Sequence, residues 1–574
     1  MTAEYDLVVR NGTIFDGSGG EPYRANIGIS AGKIAAIGSE PMSGREEIDA
    51  EGLMVTPGFV DVHTHYDGQI TWDDTLVPSS RHGATTVVTG NCGVGFAPCG
   101  PEQREMLISL MEGVEDIPAV VLKEGIPWSW TTFPEYMDVL ERRKWDIDVA
   151  TQVPHGAVRI FAMGQRALDR EPALPDDVRR MSEIVCEAVE AGALGFSTSR
   201  TIIHRHKDGT LAPTITAGEY ELSAIARAMG ETGKGVLQMV DDFVDPVREF
   251  EMWRRIVEVA GRPLSFTLGQ RSWEGENWRI LLDQLKQAND DGLEMKGQVL
   301  ARPLGLLFGL GMSANPLSLY PSFRELEDLS RPELLAELSR PEVRKRILAD
   351  EASYPDPNVA TFLTMFDDMY ILGDPPNYAP PPEASIGARA AAMGVAPLDL
   401  AYDLLLENNG DNIFYAPLAN FVGNSLRNVG EMLVHRDTIP GVGDGGAHYG
   451  FVCDASVQTY LLTHWTAEND ARILPLPFVI RQLTWDCAKA VGLLDRGRIE
   501  VGYKGDLNVI DYDRLALHAP YPVHDLPAGG RRLLQKADGY VYTVVSGEII
   551  ARDGQDTGAR PGRLVRGAQS VPVS

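Results

Sequence analysis

Short apolar segments alternate with helical stretches through the middle of the chain, between residues 56 and 450. This alternation favours a parallel sheet whose strands are joined by crossover helices. The strand candidates are GFVDVH (58–63), ATTVVTGNC (84–92), DVATQVPHG (148–156), GALGFSTSR (192–200), GKGVLQMV (233–240), LSFTLGQ (264–270), LEMKGQVLA (293–301) and TIPGVGDGG (438–446). Eight such segments predict an α/β fold with a closed, TIM-like (β/α)8 barrel over residues 56–450. An open doubly wound sheet is the alternative.

The two ends of the chain differ from this middle part and resemble each other. Residues 5–55 and the stretch from about 497 onward contain short apolar runs of period two, separated by Asn-Gly, Asp-Gly and similar turns. Such runs are typical of β-hairpins. Because chain termini often lie close together, we expect residues 1–55 and 451–574, mainly 497–574, to form one small discontinuous β-sandwich domain with connecting helices. Two separate β-flaps are the alternative.

One connection of the predicted barrel is unusually long. Residues 310–435 separate the last two strand candidates and contain the Pro-rich segments YPDP (354–357) and DPPNYAPPPEA (374–384). Long insertions of this kind often carry lids and specificity loops. We therefore expect an inserted helical and loop-rich segment over the mouth of the barrel.

Charge and cysteine content indicate which binding partners and which cellular compartment to expect. The 574 residues include 81 Asp+Glu and 52 Lys+Arg, which gives a net charge of −29. Nucleic acids and anionic membranes are bound by basic patches, so neither is an expected partner. The five scattered cysteines do not form a disulfide framework, and we find neither a signal peptide nor an apolar run of about 18 residues. A cytoplasmic protein that binds a small molecule is expected, and a homo-oligomer is compatible with the sequence.

Metal-binding side chains follow three of the predicted strands. His63 and His65 end the first strand, and residues two apart on a strand point to the same face. Cys92 ends the second strand, and its thiolate would suit zinc. Asp444 ends the last strand, where a carboxylate would bind the metal and move protons for a bound water. Since barrel active sites lie at the carboxyl ends of the strands, these residues are expected to converge.

Each of these motifs has a simpler explanation when it is taken alone. Paired histidines are often held by structural partners, a single cysteine is usually an inert buried thiol, and Asp-Gly is a common turn. The combination on one barrel-like frame favours the metal site over these alternatives.

Four segments resemble the amidohydrolase superfamily, and within it the N-acyl-D-amino-acid deacylase (D-aminoacylase) group: PGFVDVHTHYDGQ, TTVVTGNCGVGFAP, GVGDGGAH and DRGRIEVGYKGDLNVID. The resemblance covers nearly the whole chain. It implies a hydrolase that cleaves a non-peptide C–N amide bond, most simply in an N-acyl amino acid, with one or two zinc ions and a metal-activated water. In this group a cysteine replaces the bridging carbamylated lysine of other members, and Cys92 matches it. Cyclic amides, carbamates and peptide-derived amides are alternative substrates.

The fifth and sixth strand candidates depart from the pattern of the group, which supplies a metal-ligand histidine from each. Here GVLQMVDDF (235–243) and LSFTLGQRS (264–272) contain none. The region instead offers Gln238, Asp241, Asp242, Thr267 and Gln270. Three interpretations remain open. His63, His65 and Asp444 hold the metal with Cys92 near or bound, a carboxylate such as Asp241 replaces a lost ligand, or the protein is metal-poor and catalytically altered or dead. A catalytically silent relative that binds a small molecule is an alternative function.

Further candidate residues lie near other strand ends. His155, in QVPHGAVR, is a candidate for polarising the carbonyl of a substrate. A substrate carboxylate would need a cationic partner, and the planar guanidinium of arginine suits it best. The candidates for this role are Arg200, Arg271 and Arg302, of which Arg271 lies near the position of a substrate-binding lysine in the related enzymes. His204 and His206 lie in a polar loop, where we expect solvent exposure.

Overall fold

The computed structural model describes residues 4–354, 357–469 and 471–573. Within these residues, eight parallel strands form the barrel: β1 (Phe59–Asp61), β2 (Ala84–Thr89), β3 (Asp148–Thr151, continuing at Val153–Pro154), β4 (Gly195–Arg200), β5 (Val236–Asp241), β6 (Leu264–Leu268), β7 (Met295–Val299) and β8 (Thr438–Pro440). Each strand pairs in parallel with the next one. A parallel bridge between Thr64 and Gly445 joins β8 back to β1. The closed barrel and its eight predicted strands are therefore confirmed.

The barrel strands are buried because helices cover them. All six residues of β2 are buried, as expected for a parallel strand with both faces covered. The helix Pro246–Ala260 shows how the cover forms, since Phe250, Trp253 and Val257 recur at helical spacing and are buried. The Asp245 side chain accepts a hydrogen bond from the Arg248 N–H and so caps the start of this helix.

The other barrel helices follow the strands in order. They are Arg104–Val114, Ala119–Gly125 and Phe133–Glu141 after β2, His155–Met163, Gln165–Leu168 and Pro175–Glu190 after β3, Glu219–Glu231 after β4, Asn277–Asp290 after β6, Arg427–Leu433 before β8, and Val457–Thr463, Leu476–Arg481 and Cys487–Ala490 after β8. None of the helices in the described ranges has the length and apolar character that a membrane crossing requires.

The two ends of the chain share one sheet. Its strand order is Gln555–Asp556, Glu548–Arg552, Tyr540–Val545, Leu507–Ile510, Met54–Pro57, Tyr5–Ile14, Tyr23–Ser30 and Lys33–Gly38, and Gly44–Asp49 also pairs with Tyr5–Ile14. Met54–Pro57 and Leu507–Ile510 pair in antiparallel fashion and thereby join the N-terminal half to the C-terminal half. The predicted discontinuous β-domain is confirmed, in place of two separate flaps.

The long connection after β7 contains its own small core. The strands Leu304–Phe308, Tyr370–Ile371 and Phe414–Ala419 form an antiparallel sheet. Its helices are Pro321–Arg324, Arg331–Leu338, Pro341–Ala349, Pro357–Phe362, Ile386–Met393 and Pro397–Leu406. The insertion is anchored on loops at the carboxyl ends of barrel strands, since the Asn420 N–H donates to the Gln270 carbonyl at 2.7 Å. Residues 355 and 356 of the YPDP segment lie outside the described residues.

Candidate metal and catalytic site

Three predicted donor side chains meet at the carboxyl ends of β1 and β2. Ligand atoms of His63, His65 and Cys92 all lie within 4.8 Å of one another. The His63 Nε2 is 3.1 Å from the Cys92 Sγ. All three residues are buried. Two imidazoles and a thiol in this arrangement form a donor set that suits zinc.

The Asp444 carboxylate completes the cluster from the loop after β8. Its Oδ1 lies 3.4 Å from the His63 Nε2 and 3.5 Å from the His65 Nε2. This oxygen is buried and has no hydrogen-bond partner among the described residues. Ligands about 2.0–2.3 Å from a tetrahedral zinc ion lie roughly 3.3–3.8 Å apart. The unpartnered oxygen and these spacings fit a divalent cation at this point.

Cys92 and Asp444 have unusual backbone conformations, which set the direction of their side chains. Cys92 has a φ of 55° and Asp444 has a φ of 47°, both in the left-handed region that residues with a Cβ rarely adopt. Close packing holds the first turn, because a Cβ at Gly93 would lie 2.9 Å from the Thr198 Cα. Residues in such conformations cluster at functional sites, where the surrounding structure maintains them.

A polar side chain lies beside each of the two imidazoles, and the one beside His63 orients its ring. The His63 Nδ1 lies 2.6 Å from the Gln298 Oε1, and the Gln298 Nε2 donates to the Ser265 Oγ at 2.8 Å. The amide oxygen of Gln298 thus holds the His63 ring with its Nε2 directed at the cluster. On the other side, the His65 Nδ1 lies 3.3 Å from the Glu115 Oε1. No local motif marks Gln298 or Glu115, so neither residue is predictable from the sequence.

The pKa values of two cluster residues favour their ionised forms. Burial by itself raises the pKa of the Cys92 thiol, but the neighbouring His63 and His65 imidazoles lower it below its usual value overall. Burial also raises the pKa of Asp444, yet the same imidazoles hold it well below the usual range. A thiolate and a carboxylate are the forms that bind a cation.

Side chains on β5 take other roles than metal binding. The Gln238 Oε1 accepts a hydrogen bond from the Cys92 N–H at 2.9 Å and so supports the turn at Cys92. Asp241 is engaged elsewhere, because its Oδ2 contacts the Arg200 Nη1 at 3.1 Å and the Trp253 Nε1 at 2.9 Å. Asp241 is not part of the donor cluster of His63, His65 and Cys92.

The structure corrects the catalytic interpretation of His155. This residue is fully buried, its Nδ1 lies 2.8 Å from the Thr198 Oγ1, and its Nε2 lies 2.9 Å from the Glu221 Oε1. Arg159 approaches the same carboxylate, with its Nε 2.9 Å from the Glu221 Oε1. With both ring nitrogens engaged, His155 offers a substrate carbonyl no free donor.

The three candidate arginines are all paired with carboxylates. Arg200 contacts Asp241, and the Arg271 Nη1 lies 3.0 Å from the Asp242 Oδ1. The Arg302 interpretation needs the clearest correction, because its side chain is only 2% exposed and is paired with Asp454. A guanidinium that is buried and already neutralised does not receive a substrate carboxylate.

The loop after β4 also differs from expectation. His204 is half-buried rather than exposed, and its Nδ1 lies 3.0 Å from the Ser199 Oγ. His206 is buried. Burial, together with the charges of His65 and His448, lowers the pKa of His204 to about 3. His204 is therefore neutral and lies within electrostatic reach of the candidate site.

Comparison with known proteins agrees with this architecture. A family model described as the amidohydrolase family matches residues 46–551. The chain belongs to the amidohydrolase family. N-acyl-D-aspartate deacylase of Alcaligenes xylosoxydans is 24% identical over 586 residues, which cover 100% of this chain and 97% of the relative.

Two solved structures share the fold of this amidohydrolase. A D-aminoacylase studied for its binuclear metal center has a TM-score of 0.65 and 22% identity, with 98% of this chain and 100% of the other covered. The N-acyl-D-glutamate deacylase of Bordetella bronchiseptica, solved with zinc and a phosphonate mimic of the tetrahedral intermediate, has a TM-score of 0.62 and 22% identity over 98% and 99% of the two chains.

Proposed function

We propose that this amidohydrolase removes the acyl group from small N-acyl amino acids by zinc-dependent hydrolysis of their amide bond. One observation carries the proposal: His63, His65 and Cys92 form a compact donor set, and the Asp444 carboxylate lies beside it at the carboxyl rim of the barrel. The names of the relatives, an N-acyl-D-aspartate deacylase and an N-acyl-D-glutamate deacylase, support the substrate class.

We further propose that the site holds one zinc ion rather than two. Among the described residues, the donor set of His63, His65 and Cys92 is the only cluster of three potential ligands with this spacing. On β5, the side chain that reaches the site is the amide of Gln238, whereas the Asp241 carboxylate is paired with Arg200. A second ion would lack the nitrogen or sulfur donors that zinc prefers.

The side chains of this chain supply the proton transfers of the reaction. When bound, the metal lowers the pKa of a bound water toward about 7 and so provides the nucleophile. Asp444 accepts the proton of that water while the new C–O bond forms at the amide carbon. Asp444 then returns the proton to the nitrogen as the C–N bond breaks, which releases a carboxylic acid and an amine. Gln298 holds the His63 imidazole in place throughout, and the Glu115 carboxylate lies beside the His65 imidazole.

Substitution of Cys92 tests the metal site directly. Cys92→Ser replaces a thiolate by a neutral hydroxyl and is expected to lower the affinity for zinc by about 100-fold or more. The measurement is the zinc content of purified protein after dialysis against a competing chelator, by mass spectrometry. Parent protein is expected to retain one equivalent and the variant almost none.

Cys99→Ser is the matched control, because Cys99 is also a buried free thiol but lies outside the donor set. It should retain the parent zinc content. Equal zinc content in the Cys92→Ser and parent proteins, or two equivalents in the parent, would contradict the proposed site.

The substrate class is tested separately with the zinc-loaded protein. It is expected to hydrolyse N-acyl amino acids but not cyclic imides or carbamates.

Gln298 offers a second test through its contact with His63. Gln298→Met removes the oxygen that orients the imidazole and is expected to weaken zinc binding by about 10–100-fold. Gln298→Glu keeps an acceptor oxygen at the same place and should restore most of the affinity. Zinc titration with a chromophoric competitor measures both variants. A Gln298→Met protein that binds zinc as tightly as the parent would show that this contact does not orient the ligand.

A further inference from the structure

Large apolar side chains are exposed on neighbouring loops at the carboxyl ends of β4, β5 and β6. Ile202 is 55% exposed and Ile203 is 59% exposed in the first loop, Val244 is 81% exposed in the second and Trp273 is 67% exposed in the third. We call these four residues the apolar rim. Because water contact with apolar surface is unfavourable, clustered exposure of this kind marks a binding surface.

The Asp242 carboxylate, just after β5, accepts hydrogen bonds from the loops that follow β4 and β6. The Asp242 Oδ1 accepts hydrogen bonds from the Thr201 Oγ1 at 2.6 Å and from the Arg271 Nη1 at 3.0 Å. The Asp242 Oδ2 accepts a hydrogen bond from the Ile202 N–H at 2.8 Å. The loops that carry the apolar rim are thus held in a defined arrangement, rather than being independently placed.

Charges beside the apolar rim do not favour an anionic group. Arg200 contacts Asp241, while Arg271 contacts Asp242 and also Glu274, whose Oε1 lies 2.5 Å from the Arg271 Nε. The two guanidinium groups therefore face three carboxylates within the described residues. A ligand carboxylate would meet a net negative neighbourhood here, whereas an uncharged apolar chain would meet neither repulsion nor an unpaired charge.

A chain of hydrogen bonds links the loop of Ile202 and Ile203 to the candidate metal site. The Gly93 N–H, next to Cys92, donates to the Ser197 Oγ on β4 at 3.0 Å. At the end of the same strand, the Ser199 Oγ contacts His204 in the loop that carries Ile202 and Ile203. A substrate whose amide lies at Asp444 would thus have the apolar rim on the β4 to β6 side of the barrel mouth.

We propose that the apolar rim binds the aliphatic acyl chain of the substrate, so that the preferred substrates are N-acyl amino acids with a long, uncharged acyl group. This inference rests on the proposed deacylase function and adds the class of acyl group. An acyl chain is a better occupant than a second copy of the protein because the loops of the apolar rim follow β4, β5 and β6 at the same end of the barrel as the candidate metal site.

The experiment compares N-acetyl and N-octanoyl derivatives of one amino acid as substrates of the zinc-loaded protein. Each buried methylene contributes about a fourfold gain, so partial burial of the octanoyl chain should raise kcat/KM at least about tenfold over acetyl. Val244→Ser and Ile203→Ser should each lower kcat/KM for the octanoyl substrate by about threefold or more, mainly through KM, and leave the acetyl value within about twofold.

Val501→Ser is the matched control, because Val501 is 54% exposed but lies in the segment just before Leu507 of the β-domain sheet. It should leave both substrates unchanged. Equal kcat/KM for the two substrates in the parent protein would overturn the inference while the deacylase function stands. The inference would also be overturned if light scattering showed that the parent protein is an oligomer and that Val244→Ser dissociates it. The apolar rim would then be a subunit interface. Absence of hydrolysis of either substrate by zinc-loaded protein would instead overturn the proposed function.

Discussion

Asp444→Asn is expected to lower kcat for amide hydrolysis by about 10²–10⁴-fold, because the side-chain amide cannot accept and return the proton of the attacking water. The two side chains have nearly the same shape. Asn also tolerates the left-handed backbone that Asp444 adopts, with its φ of 47°. The fold and the donor set of His63, His65 and Cys92 should therefore persist. Steady-state kinetics and zinc content measured on the same preparation check both parts of this expectation.

A second buried aspartate provides the control for this substitution. The Asp146 Oδ1 accepts the Leu76 N–H at 2.9 Å, and Asp146 precedes β3 at the end of the barrel opposite the candidate site. Asp146→Asn should leave kcat within about twofold of the parent value, since it takes no part in proton transfer. Parent-level hydrolysis by a zinc-loaded Asp444→Asn protein would show that another group moves the proton.

The barrel could be predicted from the sequence because its strands are encoded locally. Each strand is a short apolar run between turn residues, and each crossover helix repeats apolar residues at helical spacing, as Phe250, Trp253 and Val257 do. Barrel geometry then brings the ends of distant strands together. For this reason His63, Cys92 and Asp444 were predicted to meet although the last is far along the chain from the others.

Side-chain partners could not be predicted in the same way, because they depend on contacts between distant segments. The sequence correctly places His155 at the end of a barrel strand. Its Nε2, however, contacts the Glu221 carboxylate, which lies 66 residues further along the chain. Gln298 reaches His63 across 235 residues without any motif. A polar residue at a strand end therefore has a predictable position, whereas its availability to a ligand depends on partners that only the folded chain reveals.

The buried partners of Arg302 give this residue a role in stability. Arg302→Met is therefore expected to lower the free energy of unfolding by about 3–5 kcal/mol. Its guanidinium is buried, hydrogen-bonded to the Cys453 carbonyl, paired with Asp454 and stacked 3.9 Å from the centre of the Tyr378 ring. Removal of the cation leaves the Asp454 carboxylate buried without its partner. Burial already raises the pKa of Asp454 to about 6, and without Arg302 its charged form becomes still less favourable.

The double substitution Arg302→Met with Asp454→Asn separates this structural role from substrate binding. It removes the unpaired charge and should recover part of the lost stability, as measured by chemical denaturation with the parent and both single variants. If Arg302 instead bound a substrate carboxylate, Arg302→Met would raise KM while the unfolding midpoint stayed near that of the parent. Because the guanidinium is enclosed by groups of the chain itself, we expect the loss of stability, and residual folded protein should keep a KM close to the parent value.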